Sequence, residues 1–435
     1  MAGTALFTDH YELTMLQSAL RSGTASRRSV FEVFARGLPA GRRYGVVAGI
    51  GRLLHALERF RFGDDELDFL TAAGVVDGPT CEWLSAYRFS GDIDGYAEGE
   101  AYFPGSPVLV VEAPFGEAVL LETLILSILN HDSAVASAAA RMVCAAGDRP
   151  IIEMGSRRTH EEAAVAAARA SYVAGFTATS NLAAGRRFGI PTTGTSAHAF
   201  TLVHGSERDA FAAQVAALGT GTTLLVDTFE EQAAIRTAVE VAGPGLGAVR
   251  LDSGDLLELA GAARAQLDDL GAHSTRIVVT SDLDEYAIAA LASAPVDGYG
   301  VGTAVVTGSG APTAGFVFKL VARTLSDDTD APLEPVGKRS TGKPSRGGRK
   351  WAVRRRGESG RARAELVLVG SPPEARSGDR PLLVPLVRGG AVVTLGSLAE
   401  AREQWRAARS ELPRTALRLS RGEPAVPTIY QGGSR

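Results

Sequence analysis

His198 stands in the run Gly194-Thr195-Ser196-Ala197-His198, which follows a short extended segment and turn at Gly189-Ile190-Pro191. A lone histidine is usually a satisfied core or surface residue, so it is the neighbours that single this one out. Small residues beside it let the backbone approach a ligand closely and leave the ring uncrowded. A neutral imidazole in such a place attacks a phosphoryl group or acts as a general base. His131 and His160, on or next to helical segments, and His273, in a loop, have weaker contexts.

The run Arg250-Leu251-Asp252-Ser253-Gly254-Asp255 is more specific. In extended chain Arg250 and Asp252 point the same way, two residues apart. The guanidinium grips a carboxylate or phosphate through two parallel hydrogen bonds. Asp252 can accept ribose hydroxyls or hold a metal that bridges a pyrophosphate. The plainer reading, a surface ion pair with a helix cap at Ser253, leaves Asp255 without a reason. Other anion contacts are offered by Gly300-Val301-Gly302-Thr303, by Ser281-Asp282 ahead of a helix, and by the adjacent guanidiniums of Arg157 and Arg158 in Gly155-Ser156-Arg157-Arg158-Thr159-His160. A Gly-x-Gly run is weak alone, and paired arginines usually mark a solvated face, but at a strand end they suit a pyrophosphate.

Strand ends are where these residues fall. Thr223-Leu224-Leu225-Val226 runs into Asp227-Thr228, Ala248-Val249 into the Arg250 cluster, Arg276-Ile277-Val278-Val279 into Thr280-Ser281-Asp282, and Gly298-Tyr299-Gly300-Val301 into Gly302-Thr303. Segments with helical apolar spacing, such as 230–241 and 256–270, lie between them. Alternating strand and helix predicts a parallel sheet with covering helices, and parallel β/α barrels carry their chemistry at the C-terminal strand ends. The βα units begin at Ile151-Ile152-Glu153-Met154 and run to about Thr307, with 316–322 expected to close the region. Before them, 91–103 reads as antiparallel strands turning at Glu98-Gly99-Glu100, and 117–146 as a core helix too polar to span a bilayer. Residues 327–347 read as a loop, followed by short strands and a helix near 398–410. The expected architecture is a 113–329 barrel with an α+β domain built from 1–112 and 330–435.

Composition sets outer limits. A chain of 435 residues with net charge −4 gives no reason to expect a nucleic-acid partner. Its two cysteines, Cys81 and Cys144, lack metal-ligand spacing and fit a reducing, cytoplasmic setting. The first ten residues have neither the basic stretch nor the apolar core of a signal peptide. Together the strand ends suit a phosphorylated sugar with a pyrophosphate leaving group and magnesium. Spacing alone does not choose among phosphosugar isomerases, aldolases and phosphoribosyl transferases.

An ordered series of motifs takes the reading further. Thr8-Asp9-His10-Tyr11-Glu12-Leu13-Thr14-Met15, Phe31-Glu32-Val33-Phe34, Met154-Gly155-Ser156-Arg157-Arg158, Gly175-Phe176-Thr177-Ala178-Thr179-Ser180-Asn181, Gly194-Thr195-Ser196-Ala197-His198 and Arg250-Leu251-Asp252-Ser253-Gly254-Asp255-Leu256 resemble those of nicotinate phosphoribosyltransferases over roughly residues 5–365. The resemblance implies an incomplete parallel β/α barrel with an α+β domain from both chain ends, and a homodimer whose base site is completed across the interface. It implies that nicotinate and phosphoribosyl pyrophosphate are joined into nicotinate mononucleotide and pyrophosphate, with ATP hydrolysed and magnesium required. Carried over by motif, His198 is phosphorylated by ATP and oriented by Asp227, and Tyr11 of the neighbouring subunit stacks on the pyridine ring. Arg250 faces the nicotinate carboxylate with Thr195 nearby, Asp252 contacts the ribose, and Gly302 and Thr303 hold the 5′-phosphate. Arg158 and Ser281 are further substrate contacts, with Asp255 a contact to magnesium through the pyrophosphate.

Four rivals differ in what they need. A nicotinamide-specific relative needs an acceptor for an amide N–H, and a quinolinate transferase needs more cations and no ATP. A non-catalytic phosphosugar-binding barrel releases no pyrophosphate, and a structural protein using only the scaffold has no feature in its favour. The role of the basic stretch 338–363 is not set by the sequence.

Overall fold

The computed structural model describes residues 3–328, 330–338, 345–374 and 376–432. The chain forms two compact units, one from 1–137 with 313–435 and one from 138–312. The divisions fall inside the helix Glu122–Ala146 and at 312/313, in place of the 112/113 and 329/330 boundaries expected from sequence, and Phe316–Arg323 goes with the first unit because it pairs with Arg28–Ala35.

The 138–312 unit is built on six parallel strands: β1 (Ile151–Glu153), β2 (Ala178–Thr179), β3 (Thr223–Leu225), β4 (Ala248–Leu251), β5 (Arg276–Val279) and β6 (Gly298–Val301). Their order across the sheet is β2-β1-β6-β5-β4-β3, every pair parallel. This is the expected incomplete β/α barrel. Val249, Leu251, Ile277, Val279, Tyr299 and Val301 are buried, as the strands of a covered parallel sheet must be.

Side-chain caps start the helices that follow several strands. Asn181 accepts from Ala184 N, Glu230 from Ala233 N, Asp255 from Leu257 and Glu258 N, and Asp284 from Tyr286 and Ala287 N. Each cap is worth about 1 kcal/mol. Strand lengths of two to four residues leave the C-terminal strand ends close to these caps.

The other unit holds a seven-stranded sheet that is antiparallel throughout and mixes both ends of the chain. Phe316–Arg323 does not close the barrel region. It pairs along Arg28–Ala35, with Phe31 and Phe318 stacked at 4.7 Å. The expected 91–103 hairpin is likewise absent. Asp92–Tyr96 pairs with Leu109–Pro114 and Leu383–Arg388, while Ala101–Tyr102 pairs with Gly45–Val46. Alternation shows that a segment is a strand without naming its neighbour.

Buried charges in this unit are paired: Lys350 with Glu32 at 2.8 Å, and Arg354 with Glu365 at 2.7 Å. Of the basic stretch 338–363, residues 339–344 lie outside the described residues, and Lys350 and Arg354 are spent on these core pairs. The segment Phe115–Ala146 is long and apolar enough to cross a bilayer by length and composition. Fully buried Asp132 within it is ion-paired to Arg52 at 2.7 Å, as befits a core helix.

Candidate active site

Parallel pairing sets the C-terminal ends of β1, β4, β5 and β6 side by side, and a cleft of about 260 Å³ opens over them. Met154, Arg157 and Arg158 reach it from β1, Arg250 and Asp252 from β4, Thr280, Ser281 and Asp282 from β5, and Gly300, Gly302 and Thr303 from β6. Arg158, Arg250, Asp252, Ser281, Gly302 and Thr303, singled out from sequence, therefore share one cleft. Its floor requires Gly300: a Cβ there would lie 2.6 Å from Thr280 and 2.7 Å from the Met154 sulfur.

Arg250 is the central cation. Its Nη1 donates to the Thr195 hydroxyl and, at 3.3 Å, to the Ser196 carbonyl. Nη2 lies 3.7 Å from Asp252 Oδ2. Burial lowers its pKa, with Arg157 acting in the same direction, while Asp252 and Asp227 favour the charged form. Its Nε is buried without a hydrogen-bond partner. A guanidinium so held is ready for a carboxylate.

Asp252 is fixed from two sides, with Oδ1 accepting from the Thr280 hydroxyl and the backbone N–H donating to Asp227 Oδ2 at 3.0 Å. Asp227 Oδ2 also accepts from Ser253 Oγ at 2.8 Å, while its Oδ1 is buried and unpartnered. The tight turn after Asp252 uses Gly254 at φ +82°, a conformation that suits glycine. Ser281 holds φ +128°, a region nearly exclusive to glycine and costing about 1–3 kcal/mol.

His198 is partly exposed at the start of the helix His198–His204, and its Nδ1 lies 3.2 Å from the Thr228 hydroxyl. The expected partner, Asp227, instead serves the β4 end. Thr195 and Ser196, three and two residues before His198, are the groups bound to Arg250, so the histidine segment is tied to the cleft although His198 is not among its lining residues. Asp255, not Ser253, caps the following helix, and it does not line the cleft. Tyr11 belongs to the other unit. There, burial and the neighbouring Glu122 and Glu12 carboxylates push its phenol far above the usual range.

Sequence reasoning gave no role to Glu153, Thr179 or Thr228. Glu153 is wholly buried, accepts 2.5 Å bonds from Thr179 Oγ1 and Gly155 N, and has its pKa raised by that burial. Among the described residues no group of three or more His, Cys, Asp or Glu side chains is arranged to hold a metal ion. A magnesium ion delivered on phosphates needs only one or two protein carboxylates, and Asp252 and Asp282 line the cleft. The donor set fits such an ion through those two rather than through Asp255.

Residues 6–130 match the N-terminal domain of nicotinate phosphoribosyltransferase (NAPRTase). The chain is 59% identical over 432 residues to nicotinate phosphoribosyltransferase pncB1 of Mycobacterium tuberculosis, covering 97% of this chain and 94% of that one. The crystal structure of human nicotinic acid phosphoribosyltransferase superposes with a TM-score of 0.81 at 26% identity, covering 98% of this chain and 97% of that one. Nicotinate-nucleotide pyrophosphorylase from Pyrococcus furiosus, at 23% identity, shares the fold with a TM-score of 0.75, over 93% of this chain and 94% of that one.

Proposed function

The chain belongs to the nicotinate phosphoribosyltransferase family, and from that premise we propose that it joins nicotinate to phosphoribosyl pyrophosphate, coupled to ATP hydrolysis, in NAD biosynthesis. The N1–C1′ bond forms as the bond from C1′ to the pyrophosphate oxygen breaks, and pyrophosphate departs with the electron pair. The observation that carries the reading is the cleft in which a desolvated Arg250, braced by Thr195, stands beside Asp252 at the sheet's C-terminal edge.

Arg250 grips the nicotinate carboxylate. Positive charge develops on the sugar ring as the leaving group departs, and Asp252, held by Thr280 and Asp227, stabilises it and contacts the ribose. Gly302 and Thr303 take the 5′-phosphate, with Ser281 beside them. Arg157 and Arg158 take the pyrophosphate. Magnesium, when bound with the pyrophosphate, neutralises leaving charge, with Asp252 and Asp282 as its protein contacts. A nicotinamide substrate leaves the Arg250 cation without a counter-charge, which favours the acid.

His198 takes the γ-phosphoryl group of ATP at Nε2, its Nδ1 being turned to Thr228, as the bond from the γ-phosphorus to the bridging oxygen breaks and ADP departs, and water later cleaves the N–P bond to release phosphate. The added charge beside the Thr195–Arg250 contact changes affinity for substrates and pyrophosphate and so drives transfer forward. Two subunits share the base site, with Tyr11 of each stacking on the ring in the other, and the protein works in the cytoplasm.

One assay tests the whole reading. Purified protein is given phosphoribosyl pyrophosphate, magnesium and nicotinate, nicotinamide or quinolinate, with and without ATP, and pyrophosphate is followed. Release with nicotinate alone, stimulated by ATP, is the expected result. Release with nicotinamide or quinolinate at equal rates, or none at all, defeats it.

A further inference from the structure

Two arginines of the cleft, Arg157 and Arg158, sit in an exposed turn, and the structure shows what holds that turn. Arg158 N closes it on Gly155 O at 2.8 Å, and Gly155 N donates to the buried Glu153 carboxylate at the end of β1. The other Glu153 oxygen accepts from Thr179 at the end of β2. The Thr179 oxygen in turn accepts from Asn181 N at 3.0 Å, and Asn181 Nδ2 reaches Ser156 Oγ in the same turn at 3.0 Å. The hydrogen bonds thus form a closed circuit, with the arginine turn as one side.

Gly155 lets this circuit press against the phosphate side of the cleft. A Cβ there would stand 2.2 Å from Val306, 2.9 Å from Glu153 Oε1 and 3.1 Å from Gly302 O. A carboxylate is a costly filler for such a space, where an apolar side chain of similar volume packs at no electrostatic loss. What a carboxylate adds is direction, because it orders two donors at fixed angles.

We propose that Glu153 is a positioning residue that fixes Arg157 and Arg158 for the pyrophosphate group of the substrate and product. The role rests on the proposed phosphoribosyl pyrophosphate site. Glu153 is sealed from solvent, so it acts through the turn and not by touching the anion.

The test is a double-mutant cycle read by titrating inorganic pyrophosphate, with magnesium, into the full-length protein. Glu153→Ala weakens pyrophosphate roughly tenfold, the loss of about one charge-assisted hydrogen bond's ordering. Its nicotinate KM stays within about threefold of the parent. Glu153→Gln, which keeps an acceptor for Gly155 N, binds pyrophosphate within about threefold of the parent. In an Arg157→Ala/Arg158→Ala background, Glu153→Ala adds less than about twofold.

An equal loss in that background, a parallel loss of nicotinate affinity, or unchanged pyrophosphate binding overturns the assignment. Should Glu153→Ala not fold, Thr179→Val removes one of the two donors. A several-fold weakening that vanishes in the arginine-less background is then expected, and a weakening that persists there overturns the role. A parent protein that binds no pyrophosphate removes the anion site itself and this role with it. A parent that binds it while Glu153→Ala binds equally removes only the role.

Discussion

The Asp227 carboxylate accepts the backbone N–H of Asp252 across 3.0 Å, tying the end of β3 to the end of β4. Asp227→Ala leaves that N–H and the Ser253 hydroxyl without their acceptor. The Asp252 N–H is only part-buried and the Ser253 hydroxyl is exposed, so each lost bond is worth about 0.5–1.5 kcal/mol and kcat/KM for transfer should fall several-fold to about tenfold. Because Thr228, not Asp227, faces the imidazole, ATP hydrolysis should fall far less. Steady-state assays of both activities on one preparation check this, and an equal loss of both would restore Asp227 as the partner of His198.

His198→Ala should abolish ATP hydrolysis and ATP stimulation while leaving slow, ATP-independent transfer. Thr228→Val should only slow phosphorylation several-fold, in line with one hydrogen bond of about 0.5–1.5 kcal/mol. Phosphate incorporation from labelled ATP separates the two. Stimulation of His198→Ala equal to that of the parent would sink the phosphohistidine.

Arg250→Lys keeps the charge but loses the planar fork and the Nε donor. Truncating one side of a buried charge pair costs about 2–5 kcal/mol, and the lysine should stand at the mild end, raising the nicotinate KM about thirtyfold. Phosphoribosyl pyrophosphate binding should barely change. Isothermal titration with each substrate separately is the check.

Burial raises the Glu153 pKa above its ordinary 4.5. The folded state therefore holds this proton more tightly than the unfolded state, and the contribution is fully present below about 4.5 and lost as pH rises through the folded value. Glu153→Gln imitates the protonated form at every pH. Its melting temperature should match the parent's at pH 4 and exceed it at higher pH, the difference growing until pH passes the folded-state value and then levelling off. Melting curves across that range that run parallel would contradict the sign.

Gly155→Ala places a methyl group against Val306 and the Gly302 carbonyl. Overpacking of this kind costs about 1–3 kcal/mol. The protein should unfold at lower denaturant concentration, and pyrophosphate affinity should fall with it. Chemical denaturation with unchanged m-value would show that the native state alone was strained.

Strand ends were readable because apolar runs stopping at Asp227, Arg250, Thr280 and Gly302 carry the parallel-sheet pattern residue by residue. That Arg158, Arg250, Asp252, Ser281, Gly302 and Thr303 share a cleft follows from that pattern. The partner of Asp227 was not readable, since it depends on how the β3 and β4 ends lie beside each other. Asp255 looked chemical because its capping bonds are made to backbone that follows it. Glu153 escaped notice because one acid in a short apolar run normally faces water, and only coordinates show it enclosed. Phe316–Arg323 was assigned to the wrong sheet for want of any local mark of its partner.

β2 and β3 follow one another in the chain yet occupy opposite margins of their sheet. The intervening residues 180–222 must therefore span the gap where a complete cylinder would have further staves. Thr195, Ser196 and His198 ride on that bridge, which a single backbone bridge of Thr192 to Thr179 joins to the sheet and side-chain contacts hold beyond it. A phosphoryl group placed on His198, as proposed, would add its charge to this bridge and not to the staves that carry Arg250 and Asp252.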